Sequence, residues 1–202
     1  MPKEKFKKLV TSKVVDFWEQ TLRSEACLLS SIEHFNPHFY SLRSPHPIWT
    51  TAGSSPAKVS MATIQALMIS GRYRTEKLKK HWTNNKLGVC LISQSCSDTI
   101  EDIPHILSSC PALKEVRNKL LLYTVSYSQR LDSQSASVLI KFCNPAEPLF
   151  SNFLLDCSTF PEVIELKQGP CPDILSYLFD VTRTWVYTLH KARLVRLNQW
   201  RL

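Results

Sequence analysis

GVCLISQSCSDTIEDIPHILSSCP, residues 88–111, places Cys90, Cys96, His105 and Cys110 in a C-x5-C-x8-H-x4-C pattern. A structural zinc ion takes four thiolate or imidazole donors in a closed tetrahedron, and this stretch supplies that number within a short span. Asp102 and Pro104 suit the first turn of a short helix carrying His105. Five residues of unbroken α-helix would turn Cys110 roughly 140° away from His105. Pro111 disfavours helical backbone at Cys110, so the chain is expected to leave α geometry there. The opposing reading is a set of buried thiols that bind nothing.

Seven cysteines, at 27, 90, 96, 110, 143, 157 and 171, are an odd number and a poor disulfide framework. In a reducing compartment they read as metal ligands or as small buried hydrophobes. Cys143, Cys157 and Cys171 have no paired histidine nearby and are assigned to the core.

Working outward from the cluster, apolar residues recur at helical spacing. Phe6, Leu9, Val10, Val14, Phe17, Trp18 and Leu22 mark one long amphipathic helix over about 6–29. Asn36-Pro37, the prolines at 45 and 47 and Gly53 make the following stretch a connector, pinned to the core by Ile48 and Trp49. Ser55-Pro56 is a helix start, because Ser caps free N–H groups and Pro occupies the first position without wasting a donor. Val59, Ala62, Ile64, Leu67 and Met68 should face inward, Gly71 should end that helix in a left-handed cap, and Thr75 should cap a second one reaching Trp82. Beyond the cluster, helices are expected over 112–127, 135–142 and 173–200, the last burying Ile174, Leu178, Val181, Trp185 and Leu189. No alternating strand pattern is present. The fold class is therefore mainly α, a helical bundle with a small embedded CCHC zinc-binding module.

The chain carries 25 Lys/Arg against 17 Asp/Glu, a net charge of +8, and residues 1–86 hold fourteen of the bases but only six of the acids. An anionic partner follows: nucleic acid, an acidic protein or a membrane surface. The densest basic and aromatic stretch is Arg72, Tyr73, Arg74, Lys77, Lys79, Lys80 and Trp82, which leads directly into the cysteine cluster. Cations interleaved with aromatic rings suit phosphates and stacked bases, although a plain solvated helix face has the same composition. Arg183, Lys191, Arg193, Arg196 and Arg201 extend that surface or meet a partner domain. No apolar run reaches the roughly 18 residues of a membrane span. The start MPKEKFKKLV carries no secretory signal, so an intracellular protein, cytoplasmic or nuclear, is expected. Four glycines provide no phosphate loop, dinucleotide fingerprint or nucleophile elbow, and the acidic pair Glu101-Asp102 reads as a helix-start cap rather than an acid/base couple.

HPIWTTAGSSPAKVSMATIQALMISGRYRTEKLKKHWTNNKLGVC at 46–90, followed by Cys96 and EDIPHILSSCPAL at 101–113, resembles the C-terminal region of reverse transcriptases of LINE-type, jockey-like non-LTR retrotransposons. The resemblance covers about 15–120. It implies a zinc-binding motif at Cys90, Cys96, His105 and Cys110, a strand-contacting segment at Gly71 to Arg74, and RNA or DNA as partner, with the polymerase domain of the same element as a second one. The gap between Cys90 and Cys96 is longer than the family's usual spacing. No polymerase aspartate motif or endonuclease is present, so the resemblance implies a C-terminal fragment without catalysis of its own.

Four segments are thus expected: 1–53, an amphipathic helix and Pro-rich connector; 54–86, a basic helical pair; 87–113, the CCHC module; and 114–202, a C-terminal helical region. A zinc-stabilised protein-interaction scaffold and a non-functional fragment are the alternatives to nucleic-acid binding.

Overall fold

The computed structural model describes residues 1–26, 28, 34, 36–39, 41, 43–80 and 87–199. The fold is mainly α, with no strand among the described residues beyond a single antiparallel bridge between Val89 and Ile100. Helices α1 (Lys3–Ala26), α2 (Pro47–Thr50), α3 (Pro56–Ile69) and α4 (Glu76–Lys79) precede the cysteine cluster. Helices α5 (Lys114–Ser128), α6 (Ser133–Phe142), α7 (Phe150–Leu155), α8 (Pro161–Gln168) and α9 (Ile174–Gln199) follow it.

The starts and stops have local causes. Ser55 accepts from Lys58 N with Pro56 in the first turn of α3, Thr75 accepts from Leu78 N to cap α4, and Asp132 accepts from Gln134 and Ser135 N to open α6. Gly71 ends α3 at φ +65°, and the amides of Arg72 and Tyr73 then both donate to Leu67 O, satisfying a carbonyl that the helix leaves open.

Helix α9 is the axis of the core. Ile174, Leu178, Val181, Trp185 and Leu189 are fully buried along it, as its periodicity predicts, against α3, α5, α7 and α8. Trp185 Nε1 donates to Thr124 Oγ1 on α5 at 2.8 Å. Gln65 on α3 donates to the carbonyls of Leu154 and Leu155 at the end of α7. One continuous hydrophobic core runs from Ile48 to Leu197 and takes in residues from the 54–86, 87–113 and 114–202 segments together. Cys143 and Cys157 are buried in it, and Cys171 packs at its edge.

Several expectations change. Trp49 is 41% exposed, so Ile48 anchors the connector without it and Ala52 joins it in the core. Val59 is exposed, and Gln65 takes an interior place on α3. On α5 the buried line is Arg117, Leu120, Thr124 and Ser128, continuing from Leu113 in the turn before it, while Tyr123 and Val125 face out; polar groups with internal partners displaced the apolar ones. The apolar side of α1 (Phe6, Leu9, Val10, Val14, Phe17 and Trp18) is exposed rather than packed on the core. No described helix is long and apolar enough to cross a membrane.

Candidate metal centre

Residues 88–101 fold back on themselves: Cys90 N donates to Thr99 O at 2.8 Å and Glu101 N to Gly88 O at 3.0 Å. Cys90 therefore sits on one arm of a short hairpin. Cys96 closes a one-turn 3₁₀ segment, Gln94–Cys96, which Ser93 caps by accepting from Ser95 N. The next segment begins with Asp102 Oδ1 accepting from His105 N at 2.9 Å, which is the helix-start cap expected of Asp102.

His105–Ser109 forms a single π-type turn, closed by Cys110 N donating to His105 O at 2.8 Å. This bond spans five residues, so it widens the turn and returns Cys110 to the side occupied by His105, the rotation that regular α-helix would have prevented. Cys110 itself is extended (φ −58°, ψ 119°), and Pro111 opens the next 3₁₀ turn, as expected from the proline.

The ligand atoms of Cys90, Cys96, His105 and Cys110 all lie within 4.8 Å of one another, and all four residues are buried. Cys90 and Cys110 Sγ are 4.0 Å apart, far beyond the roughly 2.05 Å of a disulfide. Ser109 Oγ pairs with His105 Nδ1 at 3.3 Å, which leaves His105 Nε2 buried without a hydrogen-bond partner. An orphaned imidazole nitrogen among three thiols is a donor set that could hold a metal ion. The hydrogen bond with Cys110, then burial, pushes the Cys90 thiol up to about 12; burial, then Cys90, pushes Cys96 up to about 11. Cys110 is lowered by its hydrogen bond with Cys90. The shared hydrogen bond and burial thus shift the three thiols in different directions, and a cation held among them would favour the thiolate form of each.

Arg117 stands behind the cluster, donating from Nη2 to Cys110 O at 2.6 Å while buried. A divalent ion held by three thiolates and an imidazole would leave one net negative charge, which this guanidinium would offset.

The cluster is tied to the basic stretch. Lys77 N donates to Glu101 O at 3.1 Å, and Glu76 N donates to Glu101 Oε1 at 2.9 Å. Gly88, at φ +65°, lies so close to α4 that an added Cβ would stand 3.0 Å from Lys77 Cα. Glu101 is fully buried and takes a charged hydrogen bond from Arg193 Nη2 of α9, so it is a buried ion-pair partner that also accepts from the first amide of α4, while Asp102 caps the turn that carries His105.

Of the expected nucleic-acid residues, Arg72, Arg74, Lys77 and Lys80 are exposed. Lys79 is half-buried and bonds to Glu76 at 2.6 Å. Tyr73 is corrected: it is only 5% exposed, its hydroxyl paired with His190 Nδ1 at 2.9 Å and its ring beneath Arg193, so it offers no open stacking face. Trp82 and Arg201 lie outside the described residues. In α9, Arg183 and Arg193 are buried, and only Lys191 and Arg196 add to the cationic surface. Arg183 is spent on Thr51 and Asp180. Arg117, Ser109 and the Glu101–Arg193 pair are absent from the sequence-level site. Arg193 lies 92 residues from Glu101 within a cationic run, and no local pattern marks it as interior.

Comparison with known proteins returns no match: no family model, no curated protein and no solved structure corresponds to this chain.

Proposed function

We propose that Cys90, Cys96, His105 and Cys110 hold one structural zinc ion and that the chain binds nucleic acid, RNA or DNA, without catalysis of its own. The observation that carries the metal reading is the convergence of three thiols and an unpartnered imidazole nitrogen within 4.8 Å. Zinc is favoured among metals because three soft sulfurs and one imidazole in a closed, buried site match its preference, and because a tetrahedral zinc separates its sulfurs by about 3.8 Å. The Cys90–Cys110 separation of 4.0 Å is close to that.

The metal would work structurally. By fixing the hairpin and the π-type turn it holds Glu101, and Glu101 holds the start of α4, so Arg72, Arg74, Lys77 and Lys80 are presented on a supported backbone. The likeness to LINE-type reverse transcriptases supports a role as the strand-contacting C-terminal region of such a protein, acting inside the cell where thiols stay reduced.

Fluorescence anisotropy with labelled RNA and DNA tests this. Four phosphate contacts give a slope of log affinity against log salt of about −3 to −4, and Lys77→Ala should make it shallower by about 1. Salt-independent binding, or none, contradicts the proposal. A protein-interaction scaffold is the second reading, favoured by the exposed apolar side of α1 formed by Phe6, Val10, Val14, Phe17 and Trp18.

A further inference from the structure

Between the end of α3, the 71–79 segment and the second half of α9 lies a groove of about 1080 Å3. Its apolar wall is built by Leu67 of α3, Leu78 of α4 and Leu194 of α9. Arg72 and Arg74 border it, both exposed and neither in an ion pair among the described residues. No carboxylate lines it among those residues. The other two cations are engaged, Lys79 by Glu76 and Arg193 by Glu101.

The left-handed turn at Gly71 and the inward Tyr73 set the two free guanidiniums in place. With Tyr73 anchored to His190, residues 72 and 74 on either side of it are left facing solvent. The groove therefore pairs a broad apolar wall with two uncompensated planar cations, which suit phosphate oxygens bidentately. Sites for small organic ligands measure roughly 300–1000 Å3, so there is room for at least one flat heterocycle.

We infer that this groove receives an unpaired nucleotide of a single-stranded nucleic acid, its base against Leu67, Leu78 and Leu194 and its flanking phosphates on Arg72 and Arg74. The inference rests on the nucleic-acid reading above and narrows it. A duplex offers the same phosphates to the arginines but keeps its bases paired, so the apolar wall is used only by an unpaired strand.

The test compares the zinc-loaded full chain on a short labelled oligouridylate, the matching oligothymidylate and a duplex of equal length, at one salt concentration. Wild-type protein should bind the single strands more tightly than the duplex, and the two single-stranded arms report whether ribose or deoxyribose is preferred. Leu67→Trp, which fills the groove, should weaken single-strand binding about tenfold and leave the duplex unchanged. Leu194→Gln, at an exposed position outside the buried core, should do the same to a smaller degree and decides the matter if Leu67→Trp fails to fold. Arg72→Ala should weaken both kinds of strand. Equal binding of strand and duplex, with Leu194→Gln without effect, overturns the groove assignment while leaving the nucleic-acid reading standing. Binding to neither overturns both.

Discussion

Glu101 and Arg193 hold the Cys/His cluster to the core through a buried ion pair. Truncating one partner of such a pair leaves a charge without water or counter-ion. Arg193→Ala should therefore cost about 3–5 kcal/mol in urea unfolding. The double variant Arg193→Met with Glu101→Gln should recover much of that loss, and a single-variant cost below about 1 kcal/mol would show that the pair does not hold the two parts together. A second close pair, His46 with Asp156, links stability to pH. Burial raises the Asp156 carboxyl to about 6 and lowers the His46 imidazole to about 4, and the two side chains are 3.5 Å apart. Asp156 binds its proton more tightly in the folded chain, so its contribution is full below about pH 4 and is lost as pH rises through 6. His46 binds its proton more weakly when folded, so its contribution is present above about pH 6.5 and is lost as pH falls toward 4. The two slopes oppose one another. Asp156→Asn removes the first and keeps the second, so the urea midpoint should fall more steeply between pH 6.5 and 4 than in the parent chain. An unchanged pH profile contradicts this assignment.

At the scale of elements, the hairpin at 88–101 and the π-type turn at 105–109 bring the four candidate ligands together, and Gly88 is where the hairpin touches α4. Gly88→Ala meets a strained φ of +65° and a backbone contact at 3.0 Å, neither of which a side chain can relieve by rotating. It should cost at least about 1–2 kcal/mol and lower the melting temperature, whereas the open Gly53 should tolerate Ala with less loss. Equal effects at the two glycines would mean that the hairpin does not press on α4. The same elements show why part of the site was legible in the sequence. Ligand spacing, the Asp102 cap and the break at Pro111 act within a few residues, so their consequences could be read locally. The π-type turn was legible only as a need, since the sequence shows that His105 and Cys110 would diverge on an α-helix without showing which irregularity reunites them. Helix starts at Ser55-Pro56 and Thr75 were readable for the same local reason.

Across the whole molecule, long-range pairing decides what composition leaves open. The core face of α9 follows from its period, yet Arg183 and Arg193 look like the surface cations around them, and their partners Thr51 and Glu101 are remote in sequence. Tyr73 likewise turned inward because His190 and Arg193 wait for it across the groove. The cationic surface is consequently smaller than the charge count suggests, and it is held in place by the cluster that follows it. That dependence makes metal content the direct test. Chain purified under reducing conditions, exchanged into metal-free buffer and assayed by plasma mass spectrometry should carry one zinc per chain, with X-ray absorption reporting three sulfurs and one nitrogen, and Cys96→Ser should lose it together with thermal stability. Protein that is folded, free of stoichiometric metal and unaffected by Cys96→Ser would contradict the account.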